Sequence, residues 1–197
     1  HPQTFVRELQ HNPAQQAASA YMNFLIRPDA EQLLAENDFA RLWPFFELMG
    51  ASGAVPAAAG GAASFGQALA LPDGAGWMTE ALRAQYRAVW TGDGSRPGAG
   101  LTGGLNYYRA SPLRPAREDD AAAAGVELPP EAFTVKLPTL VLWAMQDSAL
   151  LPELLGGLER WVPQMQLERI ERATHWVVHE QPARVAASIQ RFLGDDQ

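Results

Sequence analysis

The stretch "KLPTLVLWAMQD", residues 136–147, is a nearly unbroken apolar run that follows a proline and closes on a carboxylate. Such a run suits a strand buried on both faces of a parallel sheet, so a strand is expected over Lys136–Met145. Downstream, "LPELLGGLERWV" (151–162) has the spacing of an amphipathic helix, with Pro152 in its first turn. "QMQLERIE" (164–171) alternates apolar and polar residues as a second strand does, and "QPARVAASIQRFL" (181–193) reads as a last helix with proline near its start. The order strand, helix, strand, helix implies a right-handed crossover joining parallel strands. A two-stranded unit is marginal in water, so the remaining strands are expected from a preceding segment, absent here or held on a separate chain.

This reading places chemistry at one rim of the sheet. Asp147 falls just past the carboxyl end of the first strand and His175, in "RATHW", just past the end of the second. Open α/β sheets put their sites at that rim. The two residues are 28 positions apart, room for one helix and one strand, so their side chains should emerge together. An aspartate there can accept the Nδ1 hydrogen of histidine, fix its tautomer and stabilise the imidazolium formed during proton transfer.

Composition narrows the function classes. The chain has 197 residues, 47% hydrophobic and 19% charged, as a soluble globular protein with one good-sized core does. Its net charge of −7 and scattered Lys and Arg leave no nucleic-acid footprint, so a small molecule or another protein is the expected partner. It has no apolar run of about 18 residues of the kind a membrane span needs. Without cysteine there is no disulfide, no thiolate nucleophile and no thiolate metal site, which fits a reducing compartment and makes the cytoplasm the default location. The opening "HPQTFVRELQ" lacks Met and the pattern of a secretion signal, so His1 reads as an interior position.

The first 115 or so residues have a different character. "PAQQAASAYMNFL", "PDAEQLLAEND" and "FARLWPFFELM", between Pro13 and Met49, carry apolar residues at three- and four-residue spacing, and so do "WMTEALRAQYRAVW" (77–90) and the shorter "LNYYRASP" (105–112). Residues 13–115 are expected to be all-helical, interrupted by a Gly- and Ala-rich flexible insertion at 50–76, with an acidic, Ala-rich linker over 116–135.

Taken together, "LPTLVLWAMQD", "PELLGGLERWVP" and "RIERATHWVVHEQP" resemble the acid strand, following helix and histidine strand of the α/β-hydrolase superfamily, in the superfamily's order of acid before histidine. Within it, the chain is similar to epoxide hydrolases of the soluble type, over nearly its whole length. The resemblance implies an α/β fold in which residues 136–197 form the carboxy-terminal part of the core. The helical first half would be the cap over the active site, and residues 1–12 would follow the core strand that leads into it. It also implies two cap tyrosines that hydrogen-bond the epoxide oxygen: Tyr108 in "LNYYRAS", with Tyr107 as neighbour, and Tyr21 in "ASAYMNFL". A phenol suits that task because it donates to the oxygen as charge develops there.

The superfamily's nucleophile sits on a G-x-Nuc-x-G elbow upstream of the cap, which by the resemblance precedes His1, as do the oxyanion-hole donors. "AASFG" offers Ser64 at roughly the right offsets, but "AVPAAAGG" before it cannot be the buried strand an elbow needs. His175 and His179 are four apart yet fall in a strand-to-loop region without an H-E-x-x-H pattern, and no phosphate-cradling glycine loop is present. The expectation is a hydrolase that opens an epoxide to a diol through a covalent ester, hydrolysed by His175 and Asp147, with no cofactor or metal. It would need an amino-terminal half carrying the nucleophile, so this chain alone would be inactive. A capped dehalogenase or serine esterase, or a binding protein on the same scaffold, is the alternative.

Overall fold

A computed structural model describes residues 1–43, 46 and 77–194. The helix expected over 39–49 lies largely, and the Gly/Ala-rich insertion with Ser64 entirely, outside the described residues. The first helix, α1 (Pro2–His11), begins where the His1 side chain accepts from the Gln3 N–H and Pro2 supplies a pre-set φ. Its inner face carries Val6 and Leu9. Asn12 caps α2 (Pro13–Ala18) by accepting from the Ala14 N–H at 3.0 Å, and α3 (Tyr21–Leu25) follows after a two-residue break. In α4 (Ala30–Phe39) the helical path is interrupted at Glu36–Asp38, where Asn37 and Asp38 adopt left-handed backbone. These residue types take that conformation more readily than most.

Thr79 caps α5 (Glu80–Thr91) by accepting from the Leu82 N–H, and α6 (Thr102–Arg109) follows after a turn at Ala99–Leu101. The return turn demands glycine: a Cβ on Gly100 would stand 1.8 Å from the Val89 carbonyl oxygen. These helices share one core, with Leu34, Phe39, Trp43, Trp90, Leu101 and Leu105 buried in it.

The chain then runs back along α1. His1 Nε2 lies 2.7 Å from the Phe133 carbonyl, and Gln3 and Gln10 donate to the carbonyls of Leu128 and Ala123. The strands follow: β1 (Thr139–Ala144) pairs in parallel with β2 (Met165–Ile170), Thr139 opposite Met165 and Ala144 opposite Ile170. Among the described residues the sheet has these two strands. The expected burial of β1 on both faces is not realised within this chain. Thr139 to Trp143 keep partial exposure and only Ala144 is buried.

The helix expected over 151–162 also needs correction. It is two single turns, Pro152–Leu155 and Leu158–Arg160, separated at Gly156 and Gly157. Glycine is the weakest ordinary helix former, and Gly157 takes φ 73°, which ends a right-handed helix. Arg7 of α1 stabilises the break by donating to the carbonyls of Gly156 and Glu153. Leu155, Leu158 and Val162 still face the sheet, so the apolar spacing was read correctly while the backbone was not. A short helix α7 (Val177–Glu180) and the terminal α8 (Pro182–Gly194) complete the chain. No helix among the described residues is long and apolar enough to cross a membrane.

Candidate active site

Parallel pairing continues past the formal end of β1, with the Met145 N–H donating to the Ile170 carbonyl and the Gln146 N–H to that of Ala173. The chain then turns, and Asp147 folds its carboxylate back over the turn. Oδ1 accepts from the N–H groups of Ala149 and Leu150 at 2.8 and 2.9 Å. Oδ2 is left for His175, whose Nδ1 stands 2.9 Å away. The Asp147 side chain is 10% exposed and that of His175 27%, so the carboxylate is enclosed while the imidazole still reaches open space. With the hydrogen on Nδ1, Nε2 carries the lone pair, the tautomer a general base requires.

The histidine is held by its own loop. Thr174, 4% exposed, donates its backbone N–H to Glu180 at 2.9 Å and its hydroxyl to the same carboxylate. Glu180 thereby fastens the start of the loop to the end of α7. Trp176 meets the His175 ring edge-on at 5.1 Å and stacks on Phe46 at 4.8 Å, while His179 stacks on Trp77 at 4.4 Å. His179 is therefore packed on an aromatic ring. No group of three or more residues able to hold a metal occurs among the described residues.

The two tyrosines singled out from the sequence are neighbours. Tyr21 and Tyr108 meet edge to face with ring centroids 6.1 Å apart. Burial pushes the Tyr21 phenol well above its ordinary value, and the Tyr108 hydroxyl and the nearby Asp147 carboxylate raise it further. Tyr107 points away and is 83% exposed.

Tyr108 is fixed by the residue after it. Arg109 grips buried Glu31 of α4 with both terminal nitrogens, at 2.8 and 2.6 Å, and also donates to the Arg27 carbonyl. The guanidinium holds the Glu31 carboxyl at about 2, against its burial, which acts to raise it. Glu31, Glu180 and the wholly buried Gln15 had no signal in the sequence, because each works through a partner that no spacing rule links to it.

Searched against solved structures, the chain matches an epoxide hydrolase of Bacillus megaterium, crystallised with an inhibitor, at a TM-score of 0.68 and 24% identity, over 97% of this chain and 56% of that one. It also matches one of the epoxide hydrolases of the α/β-hydrolase superfamily from metagenomes of hot environments, at a TM-score of 0.65 and 27% identity, over 98% of this chain and 56% of that one. This is the α/β-hydrolase fold. Among curated sequences, the chain is similar to the AB hydrolase superfamily protein YfhM of Bacillus subtilis, 29% identical over 92% of this chain and 50% of that protein. The chain thus spans about half the length of such relatives. No family model matches it.

Proposed function

We propose that the protein is an epoxide hydrolase, for which this chain supplies the acid, the base and the helices that cap the site. The observation that carries the reading is the His175 Nδ1 to Asp147 Oδ2 contact of 2.9 Å, with the Tyr21–Tyr108 pair within electrostatic reach of that carboxylate. Histidine and acid alone serve any hydrolase of this fold; paired phenols within that reach favour an epoxide.

In the first step a carboxylate nucleophile, contributed from outside these residues, attacks an epoxide carbon. The carbon–oxygen bond opens, Tyr21 and Tyr108 donate hydrogen bonds to the oxygen, and one of the two phenols gives it its proton, leaving a phenolate. The product is an ester between the nucleophile and the substrate. In the second step Nε2 of His175 takes a proton from water as the hydroxide attacks the ester carbonyl. Asp147 stabilises the imidazolium. The tetrahedral species collapses, the ester bond to the substrate breaks, and His175 returns the proton to the leaving alkoxide; the diol departs, and the acid left on the nucleophile gives its proton by way of solvent to the phenolate of the first step, restoring both groups.

The amino-terminal half of the core, with nucleophile and oxyanion hole, is the partner this scheme requires. The incomplete two-stranded sheet and the half-length match to relatives support it. The chain by itself should be inactive, and adding the matching half should restore turnover.

The test is His175→Gln in the intact protein. Diol formation should fall at least ~10³-fold while the ester accumulates, seen by mass spectrometry as protein heavier by one epoxide. Undiminished turnover, or loss of activity without any covalent adduct, would overturn the proposal.

A further inference from the structure

Gln15 is wholly buried, in α2, far in sequence from Asp147 and His175, and its side-chain amide is occupied at both ends. Nε2 donates to the Ala149 carbonyl at 2.7 Å and to Ser19 Oγ at 2.9 Å, while Oε1 accepts from the Leu151 N–H at 3.0 Å. Bonding the carbonyl of one residue and the N–H of the residue two further on is what the N–H and C=O of one residue of an adjacent parallel strand do. The side chain replaces a strand neighbour at the point where β1 has ended.

The segment it grips is the one Asp147 folds over. The N–H groups of Ala149 and Leu150 go to Asp147 Oδ1, and two further groups of that turn, the Ala149 carbonyl and the Leu151 N–H, go to Gln15. Asp147 Oδ2 is thereby left pointing at His175. The third bond runs toward the phenols: Ser19 accepts from Gln15 and closes α2, its carbonyl accepts from the Met22 N–H, and α3 opens at Tyr21.

We propose that Gln15 is a positioning residue that fixes the Asp147 turn and the start of the Tyr21 helix to each other, so that acid and phenol keep one geometry. The proposal rests on the roles given to Asp147, His175 and Tyr21 above. Only an amide of this length meets the site. Methionine fills the space but makes none of the bonds, and a glutamate carboxylate sets its lone pairs against the Ala149 carbonyl.

Three measurements decide it. In the unmodified protein, the Leu151 amide and the Gln15 side-chain NH2 should exchange with deuterium at least ~100-fold more slowly than open amides do, and rapid exchange of both would overturn the tether. Proton NMR should show a hydrogen-bonded Nδ1–H signal from His175 that is lost in Gln15→Met, or in Gln15→Glu should the former not fold. Persistence of the signal in a folded variant overturns the positioning role, whether or not the protein turns over epoxides. Given turnover, Gln15→Met should lower kcat about 10- to 100-fold with KM within about threefold. In an Asp147→Asn background the same change should cost less than about threefold, because the two act through one geometry. Equal losses in both backgrounds overturn it. Failure of the unmodified protein to hydrolyse any epoxide sinks the functional reading alone, since the NMR signal still judges the tether.

Discussion

Asp147 divides its two oxygens between its own turn and the imidazole, and the loop opposite does something similar with Glu180. Both oxygens of Glu180 are taken by Thr174, one by the backbone and one by the hydroxyl. Thr174 is buried, so a side chain unable to accept strands two donors away from water. Glu180→Leu should therefore lower unfolding free energy by ~1–3 kcal/mol per stranded donor, measured by urea denaturation, while Glu180→Gln, which still accepts, should lose less. Asp147 and His175 were legible in the sequence because strand ends are legible: an apolar run marks where β1 stops and an alternating one where β2 does. Glu180 lies in the same quoted motif, yet its role depends on a loop folding back on itself, and periodicity carries no information about that.

Between elements, the contrast is sharpest at 151–162. The apolar positions specify which side faces the sheet, and the pair of glycines then decides what backbone does the facing. Gly157 sits at φ 73° with its neighbouring side chain, Arg7, at ordinary contact distance from a built Cβ, so the obstacle to other residues is conformational. Gly157→Val should cost ~1–3 kcal/mol in equilibrium unfolding even though nothing blocks its side chain. Had that stretch been a regular helix, the carbonyls of Glu153 and Gly156 would not be turned toward Arg7. The helices within 13–115 were legible from their spacing. Their mutual contacts were not, since a surface pattern names a face without naming what covers it.

Over the whole molecule, one ion pair joins the helix of Tyr108 to the helix of Glu31 through an enclosed carboxylate. The folded-state value of Glu31 is held near 2, below the ordinary 4.5, so its contribution to stability is fully present above about pH 4.5 and is lost as pH falls toward 2. Thermal melts over that range should show the unmodified protein losing Tm faster than an Arg109→Met, Glu31→Gln double variant. Arg109→Met alone leaves the buried carboxylate with only the longer Arg96 contact, at 3.9 Å, and should destabilise the protein at neutral pH by less than the ~3–5 kcal/mol of a fully stranded buried charge. An indifferent response to acid would show that this pair contributes little. The fold class followed from residues 136–175, whereas the coupling between halves, through Glu31, Arg109 and Gln15, became visible only once distant segments lay side by side.

The segment running back past α1 has a consequence for anyone who grafts such helices between related enzymes. His1, Gln3 and Gln10 bond the backbone at 133, 128 and 123 in antiparallel succession, so the outgoing and returning chains are stitched together rung by rung at the base of the helical half. A transplant joined inside that seam would carry half a zipper from each parent. Cutting outside it, before residue 1 and after residue 133, moves both sides together and keeps the orientation of everything hung above.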